Sequence, residues 1–236
     1  PLDWARSQVL FDLPEKASEE GGPRDPSVYL GTHLEPLANG TSSELTLVSP
    51  YFVPGKQGME VIRKMREKGV HIRILTNSMA STDVSSVHAG YMKYRKQLLA
   101  EGAELYEMVP DERGEKDQNE RKTFLGSSHA GLHAKVYIFD RKTVFIGSRN
   151  LDPRSNLVNT EVGVIIESPA IAEQLTRAFD RVTSPEYAFK VTLAVSGLVT
   201  WSAEEDGKKV IYLTEPRTGF WRRLSVRLMS VFGPES

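Results

Sequence analysis

Between residues 44 and 108 the apolar positions change period repeatedly. Glu44–Val48 (ELTLV) alternate with the period of two expected of a strand, and the run stops at Pro50. Over 56–68 the period lengthens: Met59, Val61, Ile62 and Met65 fall on one helical stripe, with Gly69 in the capping position. Val70–Thr76 (VHIRILT) returns to strand. Strand, helix, strand is the pattern of a parallel crossover. It repeats once, because Thr82 or Asp83 can cap a helix running to about Ala100 and a strand is expected at 103–108. A short helix at 27–38 precedes these elements. Strands are expected at 133–139, 143–147 and 161–167, then a helix over about 170–182 with Ile171, Leu175, Ala178 and Phe179 inward. Segments 191–203 and 208–214 flank Glu204-Glu205-Asp206-Gly207, where Asp-Gly signals a hairpin. The expected class is α/β, with a mixed, largely parallel sheet flanked by helices.

The polar stretches set the expected boundaries. Residues 14–26 (PEKASEEGGPRDP) have the composition of a linker, so 1–26 reads as a linker and the folded domain as 27–215. Residues 111–127 carry charges of both signs without periodicity and read as an exposed loop. The last segment, 216–236, is basic and amphipathic. On a helical wheel Phe220, Trp221, Leu224, Leu228, Val231 and Phe232 span about 120°, with Arg222, Arg223 and Arg227 outside that arc. Two readings stay open: an interfacial helix on an anionic membrane surface, or a terminal helix packed on its own domain or on another half of a longer chain.

Composition narrows the function classes. Among 236 residues, 30 Lys and Arg nearly cancel 31 Asp and Glu, which leaves no global attraction for nucleic acid. Lys93, Arg95 and Lys96, with Tyr91 and Tyr94, are explained as a solvated helix face as well as by a nucleic-acid patch. With no cysteine there is neither a disulfide framework nor a thiolate metal site. No apolar run approaches the length of a membrane span.

The stretch HAKVYIFDRKTVFIGSRN, His133 to Asn150, carries the candidate chemistry. Alternation along a strand puts His133, Lys135, Tyr137 and Phe139 on one face and Ala134, Val136 and Ile138 on the other. Asp140 has the opposite parity and sits at a turn, so it reads as scaffold. Ser148 and Asn150 share a face at the end of the next strand. An imidazole, an ammonium and neutral hydrogen-bond donors around one point suit a phosphoryl group whose charge must be held while bonds shift, with no metal or other cofactor required. His129 and His133 have the spacing of a zinc helix, but the intervening glutamate and a third ligand are missing.

His133-x-Lys135-(x)4-Asp140-(x)6-Gly147-Ser148-x-Asn150 resembles the HKD motif of the phospholipase D superfamily. The flanks Ser49-Pro50-Tyr51-Phe52-Val53-Pro54-Gly55, Thr76-Asn77-Ser78 through Thr82-Asp83, Val87-His88-Ala89-Gly90-Tyr91, and Asp152-Pro153-Arg154-Ser155 through Asn159-Thr160-Glu161 look like the C-terminal half of bacterial cardiolipin synthases, most like the type C branch. The resemblance covers about 44–230 and implies a phospholipase D-like domain.

What the resemblance implies is a phosphatidyl transfer by two HKD motifs, one histidine forming a phosphohistidine and the other protonating the leaving alcohol. His133 is then nucleophile or general acid; in chains that carry both motifs the N-terminal histidine is usually the nucleophile, which favours the acid role for His133. Lys135, Ser148 and Asn150 would bind phosphate, and Glu161 matches the acid that bonds an HKD histidine. His88, Asp152, Arg154 and Asn159 would lie behind the site or face substrate, and His88 reads equally as a packed histidine. Implied substrates are phosphatidylglycerol and, as donor, phosphatidylglycerol or phosphatidylethanolamine, on the cytoplasmic side of a bacterial inner membrane. Only one motif is present, because His33, His71, His88 and His129 have no lysine two residues on. Asp12-x-Pro14-x-Lys16 resembles the segment that follows the first half of longer members. The chain is therefore expected to need an N-terminal HKD half, or a second copy of itself, and to be inactive alone. Phosphodiesterases of one-motif chains, a phospholipase D or a nuclease, and a non-catalytic lipid-binding module are the other readings.

Overall fold

The computed structural model describes residues 4–17, 25–110 and 131–232. Along the chain these form β1 (Arg6–Phe11), α1 (Leu30–Gly40), β2 (Glu44–Val48), α2 (Gly55–Glu67), β3 (His71–Asn77), α3 (Ser85–Ala100), β4 (Glu104–Met108), β5 (Val136–Phe139) and β6 (Thr143–Gly147). They continue with α4 (Pro153–Leu157), β7 (Val162–Glu167), α5 (Pro169–Val182), β8 (Ala188–Leu193), β9 (Val199–Glu205), β10 (Lys208–Tyr212) and α6 (Phe220–Phe232). Short 3-10 turns occupy Pro14–Ala17 and Pro26–Val28. The expected loop at 111–127 lies outside the described residues.

The strands form one sheet in the order β1-β7-β6-β5-β2-β3-β4-β8-β9-β10. Only β2 with β3 and β3 with β4 are parallel. All other neighbours run antiparallel, so the sheet is mixed and not largely parallel. The reason lies in the connections. Crossover helices α2 and α3 force parallel pairing among β2, β3 and β4, whereas β5–β6 and β9–β10 are joined by turns too short for a crossover. Asp206 and Gly207 both have positive φ, 50° and 73°, as a two-residue hairpin turn requires.

A second correction concerns the start of the domain. Arg6 to Phe11 pair with Glu167 to Val162 as an antiparallel edge strand, inside the stretch read as linker. Only Leu10 of this strand is buried, so the ladder holds it and no apolar period announces it. Residues 18–24 of that stretch lie outside the described residues. A third correction divides 191–203: the run turns at Ala194–Leu198, where Gly197 has φ +77°, and becomes β8 and β9.

The sheet separates two apolar layers. Beneath α1, α2 and α3 lie Leu45, Leu47, Ile72, Ile74, Tyr137 and Phe145 among others. On the other side, α5 packs Ala172, Phe179 and Val182 against Val48, Leu75, Val136 and Ile138. Ser168 caps α5 by accepting from the Ile171 N–H, with Pro169 opening the helix. Val61, placed by the sequence on the inner stripe of α2, is exposed while Met59, Ile62 and Met65 are buried.

Candidate active site

β5 obeys the expected alternation: Tyr137 and Phe139 enter one layer, Val136 and Ile138 the other. The regular strand begins only at Val136, so His133 and Lys135 sit on its extended lead-in. That lead-in is pinned by Asn77 at the end of β3, whose Oδ1 accepts from the Leu132 N–H at 3.0 Å and whose Nδ2 donates to the Leu132 carbonyl at 3.2 Å.

His133 is exposed and Lys135 buried. Lys135 Nζ donates to the His133 carbonyl at 2.7 Å and lies 3.4 Å from His133 Nε2. Burial lowers the Lys135 pKa below that of an ordinary lysine, and the carboxylates of Glu161, Asp152 and Asp83 only partly offset it. A half-desolvated ammonium beside an exposed imidazole is a site for an anion to complete.

The end of β6 supplies the other wall. Ser148 Oγ donates to Glu161 Oε2, and Glu161 Oε1 accepts from Ser155 Oγ at 2.8 Å. Ser155 Oγ also accepts the Asn150 N–H at 3.2 Å, and the Ser155 N–H is capped by Asp152 Oδ1 at 2.7 Å. Thus α4, opened by Pro153 at its first turn, fixes Asn150 and Glu161 together. Glu161 spends both oxygens on serines and is not bonded to His133. Asn150 is buried, and its Oδ1 has no partner among the described residues.

Asp140 stands at the far end of β5 with φ 50°. It accepts from the backbone N–H groups of Ser42, Ser43 and Glu44 at 3.0, 2.7 and 3.0 Å and from both serine hydroxyls. Burial opposes ionisation there, but those N–H groups hold the carboxyl well below the usual carboxylate range. Asp140 shapes the entry to β2 and touches none of the other motif residues.

Of the remaining candidates, Asp152 is in place as the cap of α4. Among the described residues, Arg154 and Asn159 enter only through their backbone, the Arg154 carbonyl accepting from Val158 and Asn159. His88 is buried edge-on against Tyr91, with Nε2 3.8 Å from Glu215 Oε2, as a packed histidine is. Its position one helical turn before Tyr91 and two before Arg95 turns it into the packed face of α3.

The sequence assigns no role at the site to Tyr51, Asp83 and Ser155, although all three stand in the quoted flanks. Asp83, expected as a candidate helix cap, does not cap α3, whose N-cap Val84 has no side-chain cap bond. Tyr51 OH donates to Asp83 Oδ1 at 2.8 Å, and burial together with that carboxylate pushes its pKa up to about 12. Deeper still, Asp12 and Lys16 form a buried pair that reaches Ser155 and Glu161.

The motif glycine has a packing reason. Gly147 on β6 faces Gly163 on β7. A Cβ on Gly147 would stand 2.8 Å from both the Gly163 Cα and the Phe145 ring, and one on Gly163 would strike the same ring. Phe145 in turn stacks on Tyr137 at 5.2 Å between ring centroids.

Comparison with known proteins agrees with this architecture. The family described as "Cardiolipin synthase, PLD-like domain" matches residues 34–183. Cardiolipin synthase C of Escherichia coli (strain K12) is 41% identical over 235 residues, all of this chain and 49% of that protein. An uncharacterized protein of Helicobacter pylori (strain ATCC 700392 / 26695) is 30% identical over 95% of the chain and 42% of its own length. The chain therefore spans about half the length of the curated relatives it matches. Among solved structures, the fold is shared with the phosphatidylserine synthase of Haemophilus influenzae Rd KW20, at 15% identity and TM-score 0.55 over 78% of this chain and 39% of that one. It is shared also with Nuc, a phospholipase D family member from Salmonella typhimurium, at 18% identity and TM-score 0.51 over 75% of this chain and 94% of that one. With its motif strands, capped α4 and mixed sheet in place, this chain belongs to the cardiolipin synthase family of phospholipase D-like proteins.

Proposed function

We propose that this chain is the C-terminal catalytic half of a cardiolipin synthase, transferring a phosphatidyl group between phospholipids. The observation that carries the reading is the buried Lys135 ammonium beside the exposed His133 imidazole, in a chain 41% identical to a cardiolipin synthase. In the proposed reaction, a histidine attacks phosphorus as the donor alcohol leaves, giving a phosphohistidine, and the second histidine gives that alcohol its proton. A phosphatidylglycerol hydroxyl then attacks phosphorus, passing its proton back and freeing the first histidine. Lys135, Ser148 and Asn150 hold the phosphoryl oxygens, and Glu161 orients Ser148. His133 takes the acid role. The second motif comes from an N-terminal half or from another copy of the chain, and the protein works at the cytoplasmic face of a bacterial inner membrane. No helix among the described residues is long and apolar enough to cross a membrane.

The test is to incubate the chain with phosphatidylglycerol vesicles, alone and together with a chain that carries a first motif, and to follow cardiolipin by mass spectrometry. Cardiolipin from the pair only assigns the second motif to an N-terminal half, cardiolipin from the chain by itself assigns it to a second copy, and either is expected to vanish with His133→Ala. Cleavage of plasmid DNA without lipid turnover would overturn the reading in favour of a nuclease.

A further inference from the structure

Helix α6 is packed the opposite way round from an ordinary terminal helix. Val226 is fully buried and meets Met79, in the loop between β3 and α3, and Ala89 and Met92 of α3. On the helical wheel Val226 lies about 180° from the centre of the apolar arc running from Phe220 to Leu228. That arc consequently faces solvent: Trp221 is 78% exposed, Val231 72%, Phe220 63% and Leu228 51%. Among the described residues, packing on its own domain thus uses the narrow side of the helix and leaves the broad apolar side exposed. Arg222 fixes this orientation by donating to the Thr82 carbonyl at 2.9 Å.

We infer that the outward arc of α6 is an interfacial anchor that docks on an anionic lipid surface. Arg227 is exposed and borders the apolar arc about 20° from Phe220 on the wheel, so a charge flanks apolar area as it does at the headgroup boundary. The helix holds no acid, and of its three arginines Arg227 faces solvent, where it can meet an anionic headgroup, while Arg222 and Arg223 donate to the Thr82 and Thr218 carbonyls. Its size argues against a protein occupant. A helix of 13 residues presents a footprint of about 200 Å². A stable protein interface buries about 800 Å² per partner. Docking there would also place the catalytic groups near the bilayer, because Thr82 adjoins Asp83, whose carboxylate bonds Tyr51 and acts on Lys135. The inference does not rest on the transfer chemistry, since it is read from binding and not from turnover.

The full chain is to be sedimented with vesicles of phosphatidylcholine, with and without phosphatidylserine. Binding is expected with phosphatidylserine, several-fold weaker without it, and reduced by raised salt. Trp221→Glu with Leu228→Glu, both on the exposed arc, is expected to lower affinity at least tenfold while circular dichroism melting stays as in the parent. Arg227→Glu should weaken binding several-fold through charge alone. Unchanged binding by the double variant would overturn the inference, as would a parent chain that ignores both vesicle types. So would sedimentation velocity showing a dimer that the double variant dissolves, since the arc would then belong to a second copy.

Discussion

Lys16 Nζ stands 2.7 Å from Asp12 Oδ2, with both side chains closed off from solvent, and reaches the Ser155 carbonyl at 2.8 Å. Asp12 also accepts the N–H groups of Leu30 at 2.6 Å and Glu161 at 2.8 Å. The pair ties β1, the start of α1 and the approach to β7 into one knot beneath the candidate site. Removing one partner of a buried pair strands the other, at about 3–5 kcal/mol. Lys16→Met is therefore expected to lower unfolding free energy by about 3 kcal/mol in urea titrations. Asp12→Ala should cost more, because two amides lose their acceptor as well.

Ser155 is the hinge between Asn150 and Glu161, accepting from one and donating to the other. It touches no motif histidine, so its effect on transfer runs through the position of those two groups. In the proposed two-motif enzyme, Ser155→Ala is expected to reduce kcat about tenfold, the equivalent of one hydrogen bond of about 1.4 kcal/mol, with KM little changed. Initial rates of cardiolipin formation check it.

Arg95 lies between two buried carboxylates, donating to Glu107 at 3.1 Å and to Glu215, with its guanidinium 4.7 Å from the Trp201 ring centre. Burial works against Glu215 ionising, but His88 and Arg95 outweigh it and hold its pKa at about 2. The folded value is depressed, so the stabilisation is complete above the unfolded value of about 4.3 and is lost as pH falls toward 2. Arg95→Met removes the cation that Glu107 and Glu215 share and should cost about 3–5 kcal/mol at pH 7. The parent's share from Glu215 is lost as that carboxyl protonates, so the deficit should shrink at about pH 3. Urea midpoints at both pH values test the sign.

Asp140 contributes in the same direction from a different cause. Its carboxylate serves three backbone N–H groups, and their loss in Asp140→Ala should cost about 2 kcal/mol at neutral pH. Because the folded pKa is depressed, the difference between parent and variant should narrow as pH falls below about 4. Thermal melts across that range measure it.

Periodicity made several elements legible. β2, α2, β3, β6 and α5 stand within a residue or two of their expected limits, because each shows its burial in its own spacing. Direction within the sheet is not a property of one strand, and the parallel order of β2, β3 and β4 does not extend across β5, β6 and β7. An edge strand with one buried residue, β1, leaves no apolar pattern at all. At the site, parity and motif single out Lys135, Ser148 and Asn150, whose phosphate role belongs to the proposed function. The support from Lys16 to Ser155 spans 139 positions and exists only after folding. For His88 the motif flank leaves a site role and a packed one open, and its packing against Tyr91 is set by the turn of α3.

Gly147 and Gly163 share one ring, that of Phe145, but Gly147 is closed by backbone as well, since a Cβ there would run into the Val162 carbonyl oxygen. A smaller residue in place of Phe145 would open a void against Tyr137 and gain room mainly at Gly163, because the backbone contact at Gly147 stays. The glycine before Ser148 is thus held by the main chain of its neighbouring strand, and no exchange of side chains around it makes room for a larger residue.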